Sequence, residues 1–393
     1  MLWPLGNVGL PLLAMLSVFC SGWGASSFCN DRSVLLVLIP ILTFYFSNFV
    51  SKNVAGFSFL TCLFAMLFFF TDRQAIFYVF FEAAIFPVVV LIVFYGNTFE
   101  RFEASYFLIF FRAASSYPLL AGLGGGFLIS QNFFVGSLWR FLFLFAFMVK
   151  LPVYFVHYWL PKAHVEAPTV GSIILAGVLL KLGGWGMIRI MNFTMLSWWS
   201  SLFVVIMCLG AILAPLWAAS HRDVKGLVAF SSIRHINFSC IRIFLGARLR
   251  KTTRILVFLT HDVVSCIMFW LVGTLYHLSA SRQIIFLCRV PQMGVFFRGL
   301  SVLVLLRNFS VPPALSFFHE FCFIRIVFRM LPGASVLVAV YVVLVRYFTL
   351  FLTLNLFIFK ERAGKFPARG LETALLAARV FLILSLPLAR RMA

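Results

Sequence analysis

The stretch FMVKLPVYFVHYWLPKAHVEAPTVGSIILAGVLLKLGGWGMIRI, residues 147–190, contains the features that decide the fold. Two apolar runs flank a polar stretch from His157 to Pro168, and Pro152 interrupts the first run. A proline removes one backbone hydrogen bond and clashes with the preceding turn, so we expect the helix to break beside Lys150. In lipid, such a break survives only where protein or a wet cavity satisfies the freed backbone groups. The stretch therefore predicts a broken membrane helix beside a polar interior.

The composition of the whole chain is that of a membrane protein. Hydrophobic residues make up 63% of the 393 residues, charged residues only 11%, and Phe occurs 51 times. Soluble domains carry roughly 45–50% apolar and about 25% charged residues. Since a span needs roughly 20 apolar residues, the length allows about a dozen helices with short connections. We expect an all-α polytopic membrane protein without an inserted soluble domain.

The net charge of +21 raises the question of nucleic-acid binding. The 32 Lys and Arg are scattered over predicted loops and helix ends without a recognition motif, so we expect no nucleic acid. We expect them to anchor the chain to anionic phospholipids such as cardiolipin. The eight cysteines stand singly without a CxxC pair, which argues against a disulfide framework or an iron–sulfur or zinc site. The first apolar stretch lacks a preceding basic segment, so we expect no cleavable leader.

Hydrophobic runs separated by charged or Pro/Gly breaks predict about 13 transmembrane helices, within a range of about 12–14. The predicted spans are about 5–22, 34–50, 55–70, 74–95, 104–124, 137–166, 169–190, 196–219, 225–246, 254–277, 292–331, 334–359 and 371–389. Lys and Arg divide about equally between the two sides, so the positive-inside rule does not orient the chain.

The predicted helix 292–331 is cut by Pro312-Pro313, as the helix 137–166 is cut at Lys150-Pro152. Grouping the third to seventh helices and the eighth to twelfth makes the broken helix the fourth of five in each group. Because five is odd, the second group enters the membrane from the opposite side, which is an inverted repeat. The predicted units are 1–54 (N-terminal helices), 55–191 (first repeat), 192–359 (second repeat) and 360–393 (C-terminal helix). Chance placement of the prolines is the alternative.

Several ionisable residues lie within apolar runs. Glu82 is embedded in FYVFFEAAIFPVVV, Lys181 in ILAGVLLKLGGWG, and Glu320 in ALSFFHEFCFI. A charge at a helix centre costs about 2.5–3.5 kcal/mol on insertion scales, so such residues are kept for function or paired for stability. Burial disfavours the protonated form of a lysine, and a nearby carboxylate favours it. Moving the carboxylate therefore makes the lysine gain or lose a proton. We predict that Glu82 and Lys150 form such a switch. The full predicted proton relay is Glu82, Lys150, Lys181, His235, His261 and Glu320.

Each of these residues also has a structural interpretation. Glu82 could be a plain ion-pair partner, Lys150 a snorkelling lysine, and Glu320 an interhelical hydrogen-bond anchor. The histidines could be packing residues. Secondary relay candidates are His157, Lys225 and Asp262, and for Asp262 local pairing with the adjacent His261 is the preferred interpretation. Arg112, Arg234 and Arg325 have no assigned role in the relay, because arginine stays protonated.

The sequence predicts no catalytic, cofactor-binding or metal site. His157 and His164 could suggest a bis-histidine haem, but Pro161 interrupts the helix between them. The run from Gly122 to Gly126 lacks the GxGxxG spacing and a preceding strand, so it is no dinucleotide loop. The chain therefore contains ionisable relay groups and no visible redox centre.

Five segments carry a resemblance to a known family: residues 147–190, FFEAAIFP at Glu82, DVKGLVAFSSIRH ending at His235, THDVVSCIMF at His261, and SVPPALSFFHEF at Glu320. Together they resemble the chain 4 family of NADH-ubiquinone oxidoreductase, the antiporter-like subunits of respiratory complex I. The resemblance covers roughly residues 74–331, and LPKAHVEAP is similar to the mitochondrial form. The family has one more helix before Glu82, and it usually has His-Gly where this chain has His261-Asp262. Arg234 and Asn237 stand at positions that are usually neutral.

The resemblance implies a core membrane subunit that translocates protons, driven by quinone reduction in other subunits. It assigns the relay to the six residues named above and places the chain in the mitochondrial inner membrane. The chain would be an enzyme only as a subunit of H⁺-translocating NADH:ubiquinone reductase. No cofactor is implied in this chain: FMN, iron–sulfur clusters and the NADH and ubiquinone sites belong to partner subunits, among them the sister antiporter-like chains. The alternative is a subunit of a multisubunit cation/proton antiporter.

Overall fold

The computed structural model describes residues 31–50, 54–71, 73–96, 98–124, 133–194, 198–245, 251–279, 281–284 and 295–308, and a few positions between 310 and 347. The predicted helices 5–22 and 371–389, most of 334–359, and the Pro312-Pro313 break lie outside the described residues. The described part is helical and contains no strand beyond one isolated antiparallel bridge between Asp223 and Gln283.

The described helices follow the apolar runs of the sequence. They are α1 (Asp31–Val50), α2 (Ala55–Phe70), α3 (Gln74–Ala83), α4 (Phe86–Tyr95), α5 (Arg101–Gly124), α6 (Phe133–Lys150), α7 (Trp159–Glu166), α8 (Thr169–Ile174), α9 (Leu180–Thr194), α10 (Trp198–Ser220), α11 (Val224–Leu245), α12 (Lys251–Ser279) and α13 (Val295–Asn308). A π-helical turn, Leu175–Leu179, joins α8 to α9. Four segments in this part are long and apolar enough to cross a membrane: Ala75–Tyr95, Thr169–Ile188, Leu202–Ser220 and Val257–His277.

The predicted continuous helix 74–95 is wrong in one respect, because it is divided at Ala84-Ile85 into α3 and α4. Pro87 stands in the first turn of α4 and has no N–H to donate to the carbonyl of Ala83. The chain compensates with a tighter turn, in which Ile85 N donates to Glu82 O at 3.1 Å. Glu82 therefore lies in the last turn before a kink.

The chain leaves α6 after Lys150 and re-enters a helix at Trp159. Pro152 has no N–H, and Val153 N donates instead to Met148 O at 3.2 Å. The Val149 carbonyl accepts a bond from Trp159 Nε1 at 3.1 Å, and the Trp159 side chain is fully buried. The freed backbone groups of the break thus find partners inside the protein, as an apolar surrounding requires.

The segment formed by α8, the π-helical turn and α9 is the centre of the described part. Almost all of Thr169–Ile188 is buried, whereas less than half of Leu202–Ser220 is buried. α12 packs against α8, the π-helical turn and α1, and α1 packs in turn against α2. On its other side α9 contacts α6, so the central segment connects the broken helix to α12.

Close helix packing at the π-helical turn requires the absence of a side chain at Gly177. A Cβ there would lie 2.2 Å from Thr43 Cγ2 and 2.8 Å from Asp262 Oδ1, atoms of two different helices. We expect Gly177→Ala to destabilise the folded protein by about 1–3 kcal/mol through overpacking. Thermal unfolding of the detergent-solubilised protein measures the effect.

Gly56→Ala is the matched control for that prediction. A Cβ at Gly56 would meet nothing within 4 Å, and the residue is exposed in the first turn of α2. Alanine has the higher helix propensity, so the control should unfold at the same temperature or slightly higher. Equal unfolding temperatures for the two variants would contradict the packing described at Gly177.

Candidate functional site

Glu82 and Lys150 form an ion pair between the kinked helix and the broken one. Lys150 Nζ donates to Glu82 Oε1 at 2.6 Å. The Lys150 side chain is fully buried, whereas 23% of the Glu82 side chain is exposed. Lys150 Nζ also lies 3.5 Å from the centroid of the Phe81 ring, which adds a cation–π contact. The structure therefore brings together the two residues predicted as the switch; their switching role stays a prediction.

Lys181 lies at the start of α9, directly after the π-helical turn. Its ammonium donates to the carbonyl of Ala176 within that turn. Nζ lies 3.2 Å from His261 Nδ1 and 3.6 Å from Asp262 Oδ1, both on α12. The buried lysine thus contacts one neutral acceptor, one titratable imidazole and one carboxylate.

The helices that carry the two lysines pack against each other at Gly183. A Cβ at Gly183, two residues beyond Lys181, would lie 3.5 Å from Lys150 Cβ. The Leu151 side chain packs against the same glycine. The α6–α9 contact therefore places the backbone of the Lys181 site beside the last turn of α6.

His261 continues to His235 on α11, with the ring centroids 5.6 Å apart. His235 Nε2 lies 2.8 Å from the backbone oxygen of Asn308, the last residue of α13, and also contacts Arg234 Nη2. Arg234 Nη2 donates to the same oxygen at 2.8 Å. The end of α13 therefore orients the second histidine through a backbone carbonyl.

A small cavity of about 30 Å³ lies beside the histidines. It is lined by His235, Phe238, Ser239, Val257, Thr260, His261, Val264, Arg307, Ser316 and Glu320. Glu320 accepts a hydrogen bond from Ser310 Oγ at 2.6 Å. The cavity surface is mostly apolar, but the imidazoles, hydroxyls and carboxylate among its lining residues can supply the two to four polar partners that an ordered water needs. The cavity connects His235 and His261 to Glu320.

The predicted relay residues fall into two groups. Glu82 pairs with Lys150, while Lys181, His261, His235 and Glu320 follow one another through contacts or a shared cavity. His157 instead stacks between Tyr154 and Tyr158, with centroid distances of 5.2 Å and 4.5 Å. Lys225 Nζ donates to Ala167 O at 2.7 Å, beside α7.

Asp262 does not act as the local partner of His261 that we expected. Its fully buried carboxylate faces Lys181 on another helix and accepts a weak bond from Cys266 Sγ at 3.5 Å. The expectation failed because the register of α12 against α9, which turns Asp262 toward the lysine, cannot be read from adjacent letters. Asp262 therefore belongs to the Lys181 site.

The described residues hold no group of three or more His, Cys, Asp or Glu side chains that could bind a metal ion. His164 stacks on Phe269 with a centroid distance of 4.5 Å, away from the tyrosines that enclose His157. The buried Arg112 guanidinium lies 5.2 Å from the Trp159 ring centroid, and its nitrogens have no hydrogen-bond partner among the described residues. Arg325 lies outside the described residues.

Comparison with known proteins identifies the family. Residues 72–346 match the family model described as NADH:quinone oxidoreductase/Mrp antiporter, TM. NADH-ubiquinone oxidoreductase chain 4 of Ascaris suum is 38% identical over 280 residues, 70% of this chain and 68% of that one. Chain 4 of Squalus acanthias is 30% identical over 386 residues, 86% of this chain and 83% of that one. The chain belongs to the NADH-ubiquinone oxidoreductase chain 4 family.

Solved structures show the same fold. A chain of respiratory complex I from Thermus thermophilus superposes with a TM-score of 0.81 at 22% identity, covering 98% of this chain and 93% of that one. A chain of the Mrp complex from Dietzia sp. DQ12-45-1b gives 0.77 at 17% identity, covering 92% and 75%. The chain therefore has the helical, membrane-type architecture of antiporter-like subunits.

The sequence did not predict three groups that contact the relay residues. The first is the Ala176 carbonyl, which accepts a hydrogen bond from Lys181. It lies in a π-helical turn that no residue pattern in the sequence predicts. Asn308 and Ser310 contact His235 and Glu320. Ser310 opens the motif SVPPALSFFHEF, and its place before the two prolines could have marked it as a polar partner of the broken helix.

A double-mutant cycle tests the Glu82–Lys150 pair as a structural unit. Glu82→Gln leaves the buried Lys150 ammonium without its carboxylate, so we expect a loss of about 1–3 kcal/mol in stability. Glu82→Gln/Lys150→Met removes both charges and should recover part of that loss. Thermal unfolding of the detergent-solubilised assembly measures the stability of Glu82→Gln, of Lys150→Met and of the double variant.

The exposed pair Glu103–Lys162 supplies the control. Glu103→Gln removes a carboxylate from a solvent-exposed pair, so the unfolding temperature should hardly change. Strictly additive losses in the Glu82/Lys150 cycle would contradict a direct interaction between the two side chains.

Proposed function

We propose that this chain is a core membrane subunit of respiratory complex I and translocates protons along the buried line from Glu82 to Glu320. The family membership and the chain 4 relatives support this function. The observations that carry the proposal are the buried Glu82–Lys150 pair, the direct Lys181–His261 contact, and the cavity shared by His235, His261 and Glu320. No redox reaction is assigned to the chain itself.

The Glu82–Lys150 pair is the electrostatic control of the relay. Two unit charges about 4 Å apart interact by about 4 kcal/mol at an effective dielectric near 20, which is about a thousandfold in a protonation equilibrium. Withdrawing the Glu82 carboxylate from Lys150 therefore favours release of the lysine proton. Since Glu82 lies at a helix kink and is partly exposed, it is the member of the pair with room to move.

The remaining groups supply the steps of transfer. Lys181 and His261 are in direct contact at 3.2 Å, so a proton can pass from Nζ to Nδ1 without water. No hydrogen bond joins the rings of His261 and His235, whose centroids are 5.6 Å apart, and the cavity beside them would hold the bridging water. Glu320 at the far side of the cavity is the terminal group.

The proposal places the driving reaction outside this chain. NADH oxidation, ubiquinone reduction, FMN and the iron–sulfur clusters belong to partner subunits of the membrane and peripheral arms. The sister antiporter-like chains are expected neighbours, and anionic phospholipids such as cardiolipin are expected at the basic surface. The names of the relatives support a location in the mitochondrial inner membrane, where proton translocation couples electron transport to ATP synthesis.

We infer that the chain is built from two inverted five-helix units, residues 55–191 and 192–359. The interruption of α6 at Lys150 supports the discontinuous helix of the first unit. The corresponding Pro312-Pro313 break lies outside the described residues. In this arrangement Lys150 and Glu320 are the ionisable groups beside the two breaks.

Removing the charge of Glu82 tests the function. Purified complex carrying Glu82→Gln, reconstituted in vesicles, should lose at least about tenfold in NADH-driven proton uptake because Lys150 loses its control. Glu103→Gln, which breaks an acid–lysine pair outside the line, should leave proton uptake unchanged. Assembly is checked by the yield of the intact complex.

Full proton uptake by an assembled Glu82→Gln complex would contradict the proposed function and favour a purely structural span. A sodium-dependent proton flux in an assembly without NADH oxidation would instead support the alternative, a subunit of a multisubunit cation/proton antiporter. The similarity to an Mrp complex chain makes this the relevant competitor.

A further inference from the structure

The site contains a second acid–lysine pair, formed by Asp262 and Lys181. Asp262 Oδ1 lies 3.6 Å from Lys181 Nζ, and both side chains are almost completely buried, with 0% and 2% exposed. Glu82 in the first pair keeps 23% of its side chain exposed. The second pair is therefore the more deeply buried of the two.

The surroundings of Asp262 hold its carboxylate in place. Cys266 Sγ donates to Oδ1 at 3.5 Å from the next turn of α12. The missing side chain of Gly177 makes room for Oδ1, which lies 2.8 Å from the position a Cβ would take. Oδ2 has no hydrogen-bond partner among the described residues, so Lys181 is the carboxylate's main source of stabilisation. An anion without that cation would be very costly here.

The groups that face Asp262 show what this anion can influence. Lys181 faces it from α9, Cys62 interacts with it from α2, and Cys266 lies one turn further on α12. His261 precedes it in the sequence and contacts the same ammonium. Lys181 is the most basic of these described neighbours. The Asp262 carboxylate therefore acts mainly on the protonation of that lysine.

We propose that Asp262 is a positioning residue of the relay, a fixed anion that keeps Lys181 protonated and holds its ammonium against His261. When a proton passes from Lys181 Nζ to His261 Nδ1, the lysine becomes neutral and the imidazole becomes cationic. The Asp262 carboxylate, 3.6 Å from Lys181 Nζ, opposes the loss of that proton and so sets the pH range in which Lys181 releases it. This inference rests on the proposed function, because it assigns a role within the same relay.

The pH profile of proton uptake distinguishes this role from packing. Asp262→Asn keeps the shape of the side chain and removes the charge, so Lys181 should lose its proton at lower pH. In reconstituted complex, the alkaline limb of NADH-driven proton uptake should therefore move to lower pH by about one unit or more. A one-unit move lowers uptake about fivefold at the middle of that limb, while uptake on the acid side stays close to the unsubstituted value.

Two further variants complete the test. Asp262→Glu restores a carboxylate and should return the limb to higher pH. Asp262→Gly removes the whole side chain, so it brings no amide into the buried site if Asp262→Asn fails to assemble, and it should give the same shift. Ser265→Ala, which removes a buried hydroxyl bonded to Asp262 O at 3.0 Å, should leave the limb unchanged.

An unchanged limb in assembled Asp262→Asn or Asp262→Gly would overturn the inference. So would a uniform loss of uptake at every pH, or a loss of assembly in both variants, since either result shows a packing role. Lost uptake in Glu82→Gln together with an unchanged limb in Asp262→Asn overturns this inference alone. Unchanged uptake in both Glu82→Gln and Asp262→Asn overturns the proposed function itself.

Discussion

A positive charge in an apolar interior needs a partner, and the described structure is arranged around that requirement. Lys150 and Lys181 are both buried, and each ammonium lies against an acid from another helix. Neither lysine would be stable there alone, because several kcal/mol are lost when an ion is moved from water into an apolar surrounding. The acids, aromatic rings and backbone carbonyls around them are therefore conditions for folding as well as candidates for function.

Interruptions of the helices supply the polar groups that this requirement demands. At the break after Lys150, Trp159 Nε1 donates a hydrogen bond to the Val149 carbonyl. In the π-helical turn before Lys181, the Ala176 carbonyl accepts a hydrogen bond from the lysine. π-helical turns inside α-helices occur often at functional sites. The same irregularities that cost regular backbone bonds thus allow ionisable groups to remain at depth, next to one another.

Part of this arrangement could be predicted from the sequence. An acid or a lysine inside a run such as FYVFFEAAIFPVVV has a clear physical cost, so Glu82 and Lys181 were identifiable without a structure. Pro152 likewise signals an interruption through its missing N–H. These are local properties of the chain, readable from residue types and spacing.

Other features depend on how helices pack, and the letters do not contain that information. The π-helical turn at LAGVL has no proline or polar residue to announce it. The partner of Asp262 is set by the rotation of α12 against α9, so the sequence suggested its neighbour His261 instead. The kink at Ala84-Ile85 was missed because Pro87 was read as part of a continuous helix. Tertiary contacts decided each of these cases.

The most direct measurement is a cryo-electron microscopy map of the assembled complex that resolves ordered water. We expect water between His261, His235 and Glu320, in one continuous line with the two acid–lysine pairs. Dry apolar packing between those groups, or side chains turned toward separate surfaces of the protein, would contradict it.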